Sequence, residues 1–140
     1  MSRVFWDTNL FIYLFEGQGE RAERVVALRR RMLARGDQLL ASTLTLGEIL
    51  VKPLERGDDA VSRLYEEVLS REAVLVPFNV EAARVYAGPR RDRALRAPDA
   101  IQLACAAQSR ADLFLTNDER LSQCTVPGVQ FVTSLERAPL

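Results

Sequence analysis

Arg3-Val4-Phe5-Trp6-Asp7-Thr8-Asn9-Leu10-Phe11 is the stretch whose reading decides the fold. Arg3 to Trp6 is a short β-rich run, and Asp7, Thr8 and Asn9 are residue types that favour caps and turns. Leu10, Phe11, Leu14 and Phe15 then recur at helical spacing until Gly17 and Gly19 stop the helix. A strand passing straight into a helix begins a parallel α/β arrangement. In such a sheet every strand end lies on one edge, so acids scattered along the sequence can converge in space.

Outward from this opening the alternation continues. Glu20 to Arg35 has a helical period, with Gly36 as its C-cap, and Gln38 to Ala41 reads as a second strand. Ser42 or Thr43 starts a helix expected to run to about Lys52, where Pro53 interferes. Gly57-Asp58-Asp59 opens another helix, Ala73 to Val76 is a third strand, and Glu81 to Tyr86 is helical. An arginine-rich stretch follows Gly88-Pro89, and a helix begins at Pro98, a residue suited to the first helical position, and ends near Ser109. Leu113 to Leu115, a short turn or helix over Asn117 to Leu121, and Val129 to Val132 complete the pattern. Neither a repeat nor a linker interrupts it. Residues 1–140 are therefore expected to form one α/β domain, a parallel sheet covered on both faces.

Composition narrows the chemistry. With 140 residues and 48% hydrophobic content the chain can bury a core. Its 19 basic residues balance its 19 acidic ones, so any polyanion partner must be held by local patches or by metal. Lys52 is the only lysine, which points to a GC-rich or heat-adapted genome before it points to function. Histidine is absent, which removes the usual general base, the Ser-His-Asp and Cys-His arrangements and histidine metal sites. Cys105 and Cys124 form no Cys-x-x-Cys pattern, and Cys105 lies in an apolar helical run. A reduced cytoplasmic protein is expected, with no signal peptide and no apolar run of membrane-spanning length.

Four carboxylates stand at strand-to-helix boundaries or in first turns. They are Asp7, Glu48 in Thr45-Leu46-Gly47-Glu48, Asp99 after Pro98, and Asp118 in Thr116-Asn117-Asp118-Glu119. Each has a plainer explanation. Asp7 suits an N-cap, Glu48 completes a capping-box pattern, Asp99 suits a helix dipole, and Asp118 suits a turn. Their co-occurrence carries the argument. Two carboxylates about 5 Å apart repel by roughly 3 kcal/mol at an effective dielectric of 20. A cluster without histidine or lysine is most simply stabilised by divalent cations, and Mg2+ or Mn2+ prefer such oxygen ligands.

The ordered set of strand-Asp-Thr-Asn, Thr-x-x-Glu, Pro-Asp-Ala-Ile-Gln-Leu-Ala and Leu-Thr-Asn-Asp resembles the PIN domain over the whole length, and more narrowly the VapC-type toxins of toxin–antitoxin pairs. The resemblance implies a three-layer α/β/α sandwich with a central, mostly parallel sheet. It implies a Mg2+- or Mn2+-dependent endoribonuclease that leaves 5′-phosphate and 3′-hydroxyl ends. It assigns Asp7, Glu48, Asp99 and Asp118 as the catalytic and metal-binding quartet, with Asn9 and Thr116 in support. Asn117 and Glu119 are nearby alternatives for the fourth acid. RNA as substrate, a small antitoxin protein and a homodimer are the implied partners.

Other features admit two readings. Arg90, Arg91, Arg93 and Arg96 either line an RNA path, Arg93 and Arg96 nearest Asp99, or form a solvated face. Arg29-Arg30-Arg31 is a weaker substrate contact. Phe11, Tyr13, Leu14 and Phe15 make a helix apolar on several faces, suited to a protein interface or to plain core packing. A non-catalytic PIN-like module binding RNA or protein is the rival function. Phosphatases of the haloacid-dehalogenase kind want a second Asp where Asn9 stands, and phospho-acceptor domains want a late lysine that is missing.

Overall fold

The computed structural model describes residues 1–140. Strand β1 (Arg3–Trp6) leads into α1 (Thr8–Glu16) and α2 (Glu20–Arg35), and β2 (Gln38–Ser42) into α3 (Thr43–Glu55) and α4 (Asp59–Glu72). Strand β3 (Val74–Val76) leads into α5 (Val80–Arg90) and α6 (Ala97–Gln108), β4 (Leu113–Thr116) into α7 (Glu119–Ser122), and β5 (Phe131–Ser134) follows. All strands run parallel in one sheet of order β3-β2-β1-β4-β5. The expected α/β architecture is present, and the sheet is parallel throughout.

The pleat sends alternate side chains to opposite faces. Val4, Trp6, Leu39, Ala41, Leu113 and Leu115 meet Leu10, Phe11, Val25, Leu28, Met32, Ile49 and Leu69 from α1 to α4. Phe5, Leu40 and Phe114 point the other way, against Ala82, Leu103, Ala104 and Leu121 from α5 to α7. Three layers result, and burial on both faces explains why the strands are apolar without alternation. The Phe5 and Phe114 rings stack across neighbouring strands at 5.5 Å.

Core packing accounts for much of the apolar character of α1. Phe11 is buried, while Tyr13, Leu14 and Phe15 are half-buried against the same core. The Phe15 ring stacks on Tyr65 of α4 at 5.1 Å.

Three boundaries differ from the sequence reading. Pro53 does not end α3: it is buried in the last turn, and the helix continues to Glu55. A proline so near a helix end removes one ladder bond from a turn already held by its core contacts. Helix α5 likewise runs through Gly88-Pro89 to Arg90. The fifth strand begins at Phe131, not Val129, because Val126-Pro127-Gly128-Val129 is a turn. Val129 N donates to Val126 O at 3.1 Å, and Gly128 has φ 98°. Proline second and a positive-φ glycine third is the type II pattern.

That turn generates a prediction. A Cβ on Gly128 would meet Ala107 O at 3.0 Å as well as adopt an unfavourable φ. Gly128→Ala should lower stability by about 1–3 kcal/mol, read as a lower urea midpoint with an unchanged slope.

Candidate active site

Strand β1 sits between β2 and β4, so the chain order reverses at the carboxyl ends of β1 and β4. Crevices open at such points in parallel sheets. The one here holds all four acids, Asp7, Glu48, Asp99 and Asp118, beside Asn9 and Arg96. Its volume is about 190 Å³, room for roughly six waters at ~30 Å³ each. The lining is mostly polar, with Ile12 and Pro98 the exceptions, which suits hydrated cations and a phosphate. Two larger hollows, about 420 and 410 Å³, lie along the segment before β5 and contain none of the four acids.

Each acid is placed by its element. Asp7 extends the β1–β4 ladder, its N–H donating to Leu115 O at 2.9 Å, and caps α1 by accepting from Thr8 N at 2.8 Å on Oδ1. Its Oδ2 accepts from Thr116 Oγ1 at 2.7 Å and from Asn9 Nδ2 at 3.5 Å. Asp118 caps α7 through Oδ1, which accepts from Arg120 N and Leu121 N. Asp99 lies in the first turn of α6, its Oδ2 3.4 Å from Arg96 N. Glu48 is inside α3, where Ser42, not Thr45, caps by accepting from Thr45 N. Cap and cleft roles are thus combined in three of the acids, and the capping-box explanation of Glu48 is set aside.

Burial pushes the Asp7 carboxyl up to about 6; hydrogen bonds from Thr116 and Thr8 oppose the rise, and the charges of Asp99 and Glu48 add to it. Asp37, at the opposite edge of the sheet, behaves in the reverse sense. Burial would raise it too, yet the hydrogen bonds from Arg35 and Ser2 N, with the Arg35 charge 2.6 Å away, hold it below the usual carboxylate range. Asp7 lacks such cationic compensation: the arginines at this edge stand by Asp99 (Arg96, 3.7 Å) and Asp118 (Arg120, 3.9 Å).

The donor set suits Mg2+ or Mn2+: hard carboxylate oxygens in a small polar cleft, one of them driven toward protonation chiefly by burial, with its acidic neighbours adding to the rise. No three Asp, Glu or Cys side chains are arranged to grip one ion directly. Magnesium is ordinarily held by one or two carboxylates and keeps several waters, so an open cleft of this kind fits it.

Asn9 and Thr116, the supporting residues expected from the sequence, both lie against Asp7. Thr116 donates to Asp7 and accepts from Asp118 N at 3.0 Å. Asn9 Oδ1 accepts from Asn117 N at 3.3 Å, tying α1 to the end of β4, and Asn117 Nδ2 donates to the Tyr13 hydroxyl at 2.8 Å. Of the arginines, Arg96 lines the cleft with its Nε 3.7 Å from Asp99 Oδ2. Arg93 is exposed and outside the lining, while Arg90 holds the following loop through Leu95 O at 3.1 Å. Arg29 pairs with Glu72 at 3.0 Å, and Arg31 donates to Leu140 O.

Sequence reasoning missed Thr8, Thr45, Ser42 and Gln102, a buried polar cluster under Glu48. Thr8 Oγ1 donates to Glu48 Oε1 at 2.7 Å, and Gln102 Nε2 donates to Thr8 and Thr45 at 2.8 and 3.0 Å. The available signal was Gln102 itself, polar in the apolar run Ala100 to Ala107 and one helical turn beyond Asp99.

The PIN domain description matches residues 4–126. No curated protein sequence matches the chain. Among solved structures, a DNA-bound VapBC from Salmonella typhimurium is 17% identical with TM-score 0.73, over 96% of this chain and 99% of that one. A toxin–antitoxin complex from Klebsiella pneumoniae is 24% identical with TM-score 0.68, over 90% and 94%. VapC20 from Mycobacterium tuberculosis, a sarcin–ricin-loop-cleaving toxin, is 16% identical with TM-score 0.67, over 90% and 98%. These likenesses concern the fold.

The raised Asp7 carboxyl sets a pH dependence. Its folded value, about 6, exceeds the ordinary 3.8, so between these values the folded state holds a proton the unfolded state has lost. The contribution of Asp7 to stability therefore falls as pH rises from about 4 to 6, reaching a penalty of roughly 3 kcal/mol above that. Asp7→Asn keeps a capping side chain and removes the charge. In thermal melts without metal, the variant should gain on the wild type across that range and exceed it at pH 7. Added Mn2+ should raise the wild-type Tm and leave the variant's nearly unchanged.

Proposed function

This chain belongs to the PIN domain family, and from that premise we propose that it is a Mg2+- or Mn2+-dependent endoribonuclease, the toxin of a VapBC-type toxin–antitoxin pair. The observation that carries this reading is the meeting of Asp7, Glu48, Asp99 and Asp118 in one cleft at the reversal point of the sheet. The raised carboxyl of buried Asp7, to which the charges of Asp99 and Glu48 add, supports it.

Asp7 and Asp99 would hold the cation, with Glu48 and Asp118 completing its surroundings directly or through water. When bound, it supplies the Lewis acidity that activates water near neutral pH and stabilises charge on the departing oxygen. The chain's own residues prepare the site. Thr116 and the Thr8 N–H fix both oxygens of Asp7, and the Thr8 hydroxyl turns Glu48 into the cleft. Arg96 offers its guanidinium to a phosphate beside Asp99. Attack by water instead of the ribose 2′-hydroxyl leaves 5′-phosphate and 3′-hydroxyl ends, and single-stranded or loop RNA presents the backbone most freely to so small a cleft.

An antitoxin partner is supported by the similar structures, several of which are toxin–antitoxin assemblies. Exposed Val51, Leu54 and Leu64 on α3 and α4 supply apolar surface for that partner or for a second copy in a homodimer. A cytoplasmic setting accords with an RNA substrate and with two free cysteines. No helix is long and apolar enough to cross a membrane.

The reading is tested by incubating a mixed RNA pool with purified protein in Mg2+, Mn2+ or chelator, beside Asp99→Asn. Cleavage should require the metal and fall by at least about 100-fold in the variant, beyond the 10–100-fold typical of losing a group that only supports a ligand. No cleavage under any metal, together with no ion bound by calorimetry, would reduce the acids to helix caps and favour a non-catalytic binding module. Arg96→Ala should raise KM by roughly tenfold, the equivalent of about 1.4 kcal/mol of phosphate contact, whereas Arg93→Ala should leave kinetics unchanged.

A further inference from the structure

Gln102 is 1% exposed, yet all its polar atoms are engaged. Its Oε1 accepts from Ser42 Oγ at 2.8 Å, and its Nε2 donates to Thr8 Oγ1 at 2.8 Å and to Thr45 Oγ1 at 3.0 Å. Thr8 Oγ1 is also 2.8 Å from Thr45 Oγ1 and 2.7 Å from Glu48 Oε1. Ser42 Oγ accepts from Thr45 N at 3.2 Å, which leaves its own proton for Gln102.

Among the contacts of 3.2 Å or less, only one arrangement of protons satisfies all of them when Glu48 is ionised; the 3.5 Å approach of Ser42 Oγ to Thr45 Oγ1 is then left without a proton. An amide nitrogen donates two hydrogens and accepts none, so both go to the threonine hydroxyls. A hydroxyl has one proton, and an ionised carboxylate only accepts. Thr8 must therefore give its proton to Glu48, and Thr45 must give its own to Thr8. Thr8 then accepts twice and donates once. The chain of donors runs from Gln102 through the two threonines and ends on Glu48. Turning the amide over would present its oxygen to Thr8 and Thr45, and Gln102 would compete with Glu48 for the Thr8 proton. The Ser42 hydroxyl can donate or accept and does not decide between the two; the turned state is disfavoured because the Gln102 oxygen would face Thr8 Oγ1 with no proton between them once Thr8 donates to Glu48.

We propose that Gln102 is a positioning residue of the site: by donating to Thr8 and Thr45 it commits the Thr8 proton to Glu48 and fixes that carboxylate in the orientation that serves the cation. The proposal rests on the metal-dependent reading given above, and it assigns a role to a residue that touches neither metal nor substrate. It also explains why one elongated amide is buried on a helix otherwise packed with alanine.

The test compares wild type with Gln102→Met, which keeps the length of the side chain and removes both ends of its hydrogen bonding, and with Thr8→Val, Thr8→Ser and the double variant Gln102→Met/Thr8→Val. Mn2+ affinity is measured by calorimetry on RNA-free protein. Values of kcat and KM are measured on the shortest oligonucleotide from the pool that the wild type cuts. Gln102→Met and Thr8→Val should each weaken Mn2+ binding by about 10–100-fold and lower kcat, with KM within about twofold; Thr8→Ser should restore both. The double variant should be no worse than the weaker single one, because both substitutions act through the one Thr8–Glu48 hydrogen bond. Gln102→Met that melts lower but binds Mn2+ and turns over normally would overturn the proposal, and so would losses that multiply in the double variant. If Gln102→Met does not fold, the Thr8→Val and Thr8→Ser pair decides, equal Mn2+ affinity in the two overturning it. A wild type that binds Mn2+ but cuts no RNA would remove the ribonuclease reading and leave the affinity comparison to decide on Gln102. A wild type that binds no Mn2+ would overturn both.

Discussion

The structure depends on a carboxylate buried at the end of a central strand. Asp7 is 8% exposed, and it sits where β1 must hand the chain to α1. Taking a charge out of water is costly unless it is paired and hydrogen-bonded. Here the hydrogen bonds are supplied by Thr8 and Thr116, but the nearest ionic neighbours, Asp99 and Glu48, have the wrong sign. The rest of the cleft follows from that deficit. Thr116 is spent on Asp7, Thr8 is shared between the helix cap and Glu48, and Arg96 partly offsets Asp99.

The two edges of the sheet show that this is a choice of location and not a property of aspartate. At the amino edge, Asp37 accepts from Ser2 N and Arg35, and Asp112 accepts from Arg3 N. Those acids tie strands together and carry local compensation. At the carboxyl edge the acids are also caps, yet they are brought near each other. Capping engages one oxygen each of Asp7, Asp118 and Asp99, the other oxygen of Asp7 is held by Thr116, and all three side chains line the cleft. The plain structural role and the chemical one are therefore compatible, since a helix N-terminus presents its capping carboxylate at a fixed angle.

How much of this was legible in the sequence depends on whether the cause was local. Arg3–Trp6 and Glu20–Arg35 are strand and helix as read, because periodicity and flanking cap residues sit within each segment. The run from Val129 misleads, because the apolar character of Val129 belongs to a turn whose driver is Gly128 against Ala107. Pro53 misleads for the opposite reason: burial in the core outweighs its helix-breaking tendency. The four acids could be singled out by position, whereas the service of Gln102 could not. Its partners are 60 and 94 residues away at Ser42 and Thr8, and no local pattern records such contacts.

The acids ride on the exits of β1 and β4, on α3 and on α6, so each belongs to a separate crossover of the sheet. No fragment shorter than residues 7–118 contains the site. During synthesis, Asp7, Glu48 and Asp99 leave the ribosome well before the strand that aligns Asp118, and β4 must insert beside β1 before the cleft has its fourth wall. For a chain proposed to cut RNA this ordering acts as a safeguard of biogenesis: the four acids cannot meet on the nascent polypeptide until β4 has emerged and paired with β1.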